Sequence, residues 1–170
     1  DIVNTTTLWP KLETALEVKG PWQVHFQEGR GAPAEATFPT LTDWSRHADP
    51  GIRYFSGIAD YTTSFDLPES ELNWYIDLGR TEVIARIELN GKPVTELWKT
   101  PFACDITPYL QAGQNTLKVS VANEWPNRLI GDDALPQEKR VTFTTYNPYK
   151  KGTPLLPSGL LGPVRVAWAE

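Results

Sequence analysis

The chain has 170 residues, and its 16 Lys and Arg against 21 Asp and Glu leave a net charge of −5. The acids are scattered, so no basic stripe exists to neutralise phosphates or to dock on an anionic membrane, and neither nucleic acid nor membrane insertion is expected. With 15 Pro, 12 Gly, 7 Trp, 6 Tyr and 6 Phe, short alternating segments and no helical periodicity beyond a few turns, the composition favours an all-β sandwich or barrel. One such domain buries roughly two thirds of its unfolded surface and needs no covalent staple.

Cys104 is the single cysteine, which excludes an internal disulfide and a Cys-rich zinc site. Its flanks, Phe102 and Ile106, predict a buried, inert thiol. No apolar run approaches the ~18 residues of a membrane span. The chain contains no Met, even at position 1, and is expected to be a piece of a longer protein.

Residues 1–15 are polar around a Trp9-Pro10 anchor and read as a linker or lead-in segment, with residues 16–170 as a single β-sandwich domain. After Gly20-Pro21, Trp22, Val24 and Phe26 alternate with Gln23, His25 and Gln27, the pattern of a half-buried strand that turns His25 to solvent. Residues 36–38 form a short strand or extended link, and residues 43–51 a turn-rich excursion. Strands are expected at 52–56 and 61–67, the latter ended by Pro68, which cannot donate to a ladder. Residues 74–78 and 83–89 are expected to form a strand pair. Asn90-Gly91 is the strongest hairpin signal, because both residues tolerate positive φ, and Pro93 places the returning strand, 92–97, at a sheet edge.

The stretch from Leu97 to Asp132 organises the rest. Thr107 can cap a short turn with Pro108 at its first position and Gly113 closing it. A strand follows, with Leu117, Val119 and Val121 on one face and Lys118, Ser120 and Ala122 on the other. Residues 123–133 are expected to be a polar, aromatic loop. Val141 to Tyr146 and Val164 to Trp168 read as the final strands, separated by a long loop rich in Pro and Gly of the kind that is functional or clamped against another surface. About eight to ten strands in all fit a two-sheet jelly roll.

The string Pro101-Phe102 through Asp105-Ile106-Thr107, Gly113, Asn115 and Val121 resembles the sugar-binding-type jelly-roll domain of family 2 glycoside hydrolases. Further matching segments fall in the same order: Gly20-Pro21-Trp22, residues 54–61, 78–91, Asn127-Arg128-Leu129-Ile130-Gly131-Asp132, and Leu156-Pro157-Ser158-Gly159-Leu160-Leu161-Gly162-Pro163. Together they resemble the C-terminal, galactose-binding-like β-sandwich of large bacterial glycoside hydrolases of the family 106, α-L-rhamnosidase type. The resemblance implies a fragment that is not itself an enzyme, from a secreted, periplasmic or cell-surface hydrolase whose catalytic acids sit in another domain. The expected partner is the catalytic domain of the parent chain, docked on the loop from Tyr146 to Pro163. The alternative is an autonomous carbohydrate-binding module that takes an oligosaccharide or polysaccharide of plant type.

Two loop regions carry the flat rings and fixed polar groups that sugar recognition needs. One holds Asn123, Glu124, Trp125, Asn127, Arg128, Asp132 and Asp133; the other holds Trp44, Arg46, His47 and Asp49, with Trp98 and Lys99 beside it if the loops share one end. The binding set is therefore Trp125, Asn127, Arg128, Asp132, Trp98 and Trp44. Against it stands a structural reading in which Arg128 forks onto Asp132 and Trp125 caps the core. Trp22, Trp74 and Trp168 lie in strand patterns and are assigned to the core. No catalytic residue is assigned: Glu124, Asp132 and Asp133 lack a cleft, and Ser158 lacks a nucleophile elbow and a histidine beside it. No cofactor is expected; loop oxygens could hold a structural calcium ion, but no EF-hand-like spacing supports one.

Overall fold

The computed structural model describes residues 10–169, so Trp9 lies outside them. The described residues form an all-β sandwich of twelve strands. These are β1 (Glu13–Glu17), β2 (Trp22–Phe26), β3 (Glu35–Phe38), β4 (Ile58–Leu67), β5 (Asn73–Asp77), β6 (Arg80–Thr81), β7 (Ile84–Leu89), β8 (Lys92–Leu97), β9 (Ala103–Asp105), β10 (Gly113–Ala122), β11 (Leu160–Gly162) and β12 (Arg165–Ala169). The excess over the expected number comes from strands such as β6, β9 and β11, whose two or three residues are too short to show a period.

One sheet has the order β3-β2-β4-β10-β7-β8, a second β1-β12-β5-β9, and β11 with β6 makes a small third. Pairing within all three is antiparallel. Strict alternation aims one face of each long strand inward. Leu117, Val119 and Val121 of β10 are fully buried, as are Ala85, Ile87 and Leu89 of β7. They meet Ile76 of β5 and Val166 of β12 in one continuous core. Each of the larger aliphatic side chains in that layer contributes about 1.5–3 kcal/mol through removal from water. Trp22 and Trp74 belong to this core, and Trp168 packs against it. His25 is exposed and pairs with Glu35 across the β2–β3 ladder at 3.1 Å.

The hairpin forms as its sequence requires. Asn90 and Gly91 adopt φ of 52° and 75°, and β8 ends the six-stranded sheet. The Asn90 amide also donates to Tyr109 O and to Asn115 Oδ1, tying the turn to the start of β10.

Five expectations are corrected. Residues 52–56 are not a strand: Asp49 accepts from Gly51 N, Pro50 supplies a first helical position, and the chain makes the single turn α1 (Pro50–Arg53). β5 and β7 do not pair; β5 joins β12 and β9, whereas β7 joins β10 and β8, because the intervening residues carry the chain from one sheet to the other. Thr107 does not cap its turn. Asp105 Oδ1 accepts from Thr107 N, and the Thr107 hydroxyl instead accepts from Trp74 N at 2.8 Å. Residues 126–133 are the helix α2 (Pro126–Asp133), with Pro126 in its first turn. Residues 141–146 alternate like a strand yet pair with none among the described residues, leaving Phe143 and Tyr146 87% and 76% exposed. Within residues 1–15, Glu13 begins β1, which runs antiparallel to β12.

Candidate functional site

The strand directions bring several of the singled-out residues to one end of the sandwich. β2, β8 and β10 run the same way, since each is one antiparallel step from β4 or β7. Their C-terminal ends therefore deliver Arg30, Trp98 and Trp125 to a common rim. The N-terminal ends of β4 and β7 add Ile58 and Ile84, both opposite Ala122 and both exposed. Trp98 is 70% exposed with the Lys99 ammonium 5.4 Å from its ring, and Trp125 is 50% exposed beneath the Arg30 guanidinium at 5.1 Å. Trp125 consequently does not cap the core.

Trp44 is different. It lies in a short 3₁₀ turn, Trp44–Arg46, in which the Asp43 side chain accepts from Ser45 N, and it is fully buried. Its ring stacks on Tyr61 at 5.6 Å and 6° and abuts Phe26 and Phe55. A ligand cannot stack on it, which removes Trp44 from the binding set.

Asn127, Arg128 and Asp132 are buried on the inner side of α2. Asn127 accepts from Leu156 N at 2.8 Å and donates to Leu156 O at 2.7 Å, so its amide substitutes for a strand partner. Arg128 Nη2 meets Asp132 Oδ1 at 2.9 Å, one helical turn apart, with both side chains only 5% exposed, and the guanidinium lies over Tyr54. Asp132 also accepts from Val141 N, Thr142 N and the Thr142 hydroxyl. Asp133 accepts from Lys151 N. The helix thus acts as a spool that holds the segment 135–158 by side-chain bonds in place of a ladder. Gly131 permits this packing, because a Cβ there would lie 2.5 Å from the Tyr54 ring.

Beside the spool, where the ends of β10, the approach to β7 and the segment before β11 converge, is a cavity of about 130 Å³. Its walls include Glu82, Val83, Asn123, Glu124, Pro126, Asn127, Leu156, Pro157 and Ser158. In the sequence, Asn123 and Glu124 belong to the 123–133 candidate loop and Ser158 to the 156–163 string. Nothing local in the sequence joins these to Glu82, since the three segments meet only once the sheets form. Asp43 and His47 stay near the Trp44 turn, and Arg46 points to solvent.

Cys104 is half-buried, and burial, reinforced by the neighbouring Asp105 charge, pushes its thiol up to about 12. Such a thiol is a poor nucleophile. The described residues contain no cluster of three or more His, Cys, Asp or Glu placed to hold a metal ion, and no helix is long and apolar enough to cross a membrane.

The described residues form a two-sheet antiparallel sandwich with an exposed aromatic rim at one end, the architecture of a jelly-roll domain. No family model matches the chain. A rhamnosidase from Novosphingobium sp. PP1Y is similar in both structure and sequence, with a TM-score of 0.87 and 41% identity over 92% of this chain and 15% of its own. A Formosa agariphila protein named "Putative beta-glucuronidase" is 38% identical across 178 aligned residues, again 89% of this chain and 15% of that protein. A β-D-glucuronidase from Dictyoglomus thermophilum, at 20% identity and a TM-score of 0.64, shares the fold. The resemblance to the β-sandwich of large rhamnosidase-type glycoside hydrolases therefore holds over most of the chain, which spans 15% of the length of the two relatives nearer in sequence.

Proposed function

We propose that this chain is a non-catalytic accessory domain of an exported bacterial glycoside hydrolase, and that it supports the catalytic domain of its parent. The observation that carries this reading is the segment 135–158. It is pinned to α2 from within, yet it presents Phe143 and Tyr146 outward on a groove of about 640 Å³. Exposed apolar surface of that kind, on a chain similar to a small part of much longer enzymes, suits a neighbour within the same polypeptide. Asp132 and Asp133 support the non-catalytic role, since both are committed to backbone N–H groups.

Two assays test the reading. The purified chain should give no turnover of aryl rhamnosides or aryl glucuronides, and deletion of the corresponding segment from the parent enzyme should lower its stability or activity. Turnover by the chain alone would overturn the non-catalytic role.

A second reading, an autonomous carbohydrate-binding module, is favoured by the exposure of Trp98 and Trp125 at one rim. Calorimetric titration with rhamnose-containing plant oligosaccharides should then show saturable heat that Trp125→Ala abolishes. Flat heats with both proteins would reject that reading.

A further inference from the structure

The segment 135–158 differs in charge from the rest of the molecule. It carries Lys139, Arg140, Lys150 and Lys151 against one acid, Glu138, a net of +3 in a chain whose total is −5. All four cations are exposed, and none forms an ion pair among the described residues. Cations on the outer face of the six-stranded sheet are paired by contrast, Arg86 with Glu96 and Lys118 with Asp60. The one side-chain bond among the four runs from Arg140 Nε to Leu135 O at 3.1 Å, and it leaves the far end of the guanidinium free. Arg140 and Lys150 lie on the groove of about 640 Å³ together with Phe143 and Tyr146. Of the two acids on that groove, Asp132 is neutralised by Arg128 and Asp133 accepts from Lys151 N. The surface is therefore two largely exposed rings framed by unpaired positive charge.

We infer that the occupant of this groove is an acidic protein face of the parent chain, with an apolar patch for Phe143 and Tyr146 and carboxylates set around it for Lys139, Arg140, Lys150 and Lys151. Four cations are too few to track a phosphate backbone. A polyanion would meet the charges and leave the rings in water, whereas a folded acidic face covers both. Charge placed around an apolar centre fixes the partner and its orientation more than it adds affinity, because pairs at a rim stay partly hydrated. Two relatives are each more than six times as long as the part that this chain matches, so such a face is available in the same polypeptide at high effective concentration. The location of the surface rests on the accessory-domain reading; the acidity of its partner rests on the unpaired cations.

The test is hydrogen–deuterium exchange of residues 140–158 in the parent enzyme carrying Lys139→Glu together with Lys150→Glu, which takes the segment from +3 to −1. Exchange there should be about tenfold faster than in the unaltered parent. Raising NaCl from about 0.1 M to about 0.5 M, which shortens the screening length by about half, should move the unaltered parent in the same direction. Exchange of β4 and β10 should stay as it was, since neither lysine side chain has a bond to lose. Lys92→Glu, at an exposed cation that opens β8, should leave the segment's exchange unchanged. Protection that persists through the double reversal and through high salt overturns the acidic occupant and leaves docking intact. Equal exchange in the parent and in the isolated chain overturns docking itself, and the occupant with it. Retention of the isolated chain on polygalacturonate, lost in the double reversal, assigns the cations to a polyanion and also overturns the inference.

Discussion

Asn115 is wholly buried and uses its whole amide: Nδ2 donates to Gln111 O and Gly113 O, while Oδ1 accepts from Gln111 N and from Asn90. Asn115→Leu should therefore cost about 2–4 kcal/mol in urea unfolding, because several backbone groups lose their partners at once. Tyr61 is a second such point. Its hydroxyl accepts from Leu160 N, and burial pushes its phenol far above the ordinary range, against the smaller opposite effect of that bond. The unfolded chain ionises first, so this contribution is fully present below about pH 10 and falls as the pH rises further. Urea midpoints should decline as the pH rises from about 10 to about 11.5, and Tyr61→Phe should flatten that decline while costing about 1–3 kcal/mol at pH 8. Gly159 explains why this contact is so close: at φ 90° it brings the backbone against Tyr61 and Trp44, where a Cβ would lie 2.6 Å from the hydroxyl. Burial of Trp22 could be read from its alternating neighbours. That of Trp44 could not, because its partners Tyr61 and Phe55 come from other elements and the local sequence is polar and turn-rich.

At the scale of elements, the long strands were legible and the helices were not. β4, β7 and β10 repeat with period two over six to ten residues, and the Asn90-Gly91 turn joins β7 to β8. α2 escaped notice because it buries polar residues. Its inner side is Asn127, Arg128, Ile130, Gly131 and Asp132, which as a pattern reads as a loop. The opposite holds at 141–146, where strand-like alternation meets no ladder among the described residues because Asp132 takes the N–H groups of Val141 and Thr142. The spool arrangement separates two substitutions. Asp132→Ala leaves the buried Arg128 charge without its carboxylate and should cost about 3–5 kcal/mol. Trp125→Ala, at a half-exposed rim, should change unfolding free energy by less than about 1 kcal/mol. Equal losses for the two would contradict the assignment of α2 as a structural clamp.

At the scale of the whole molecule, the resemblance read from the strings at 127–132 and 156–163 agrees with the relatives found. The first string is the clamp, and the second begins at the end of the segment that it holds and runs through β11. Their residues are spent on backbone bonds, which is why a sequence so specific locates the fold and yet yields few groups free to meet a ligand. The exposed groups lie elsewhere, on the outer side of segment 135–158 and on the rim with Trp98 and Trp125. The account holds that the first of these surfaces is covered in the parent enzyme. Hydrogen–deuterium exchange of residues 140–158, compared between the isolated chain and the parent enzyme, tests this most directly. Protection of that segment in the parent, centred on Phe143 and Tyr146, is the predicted result; identical exchange in both would contradict the docking role.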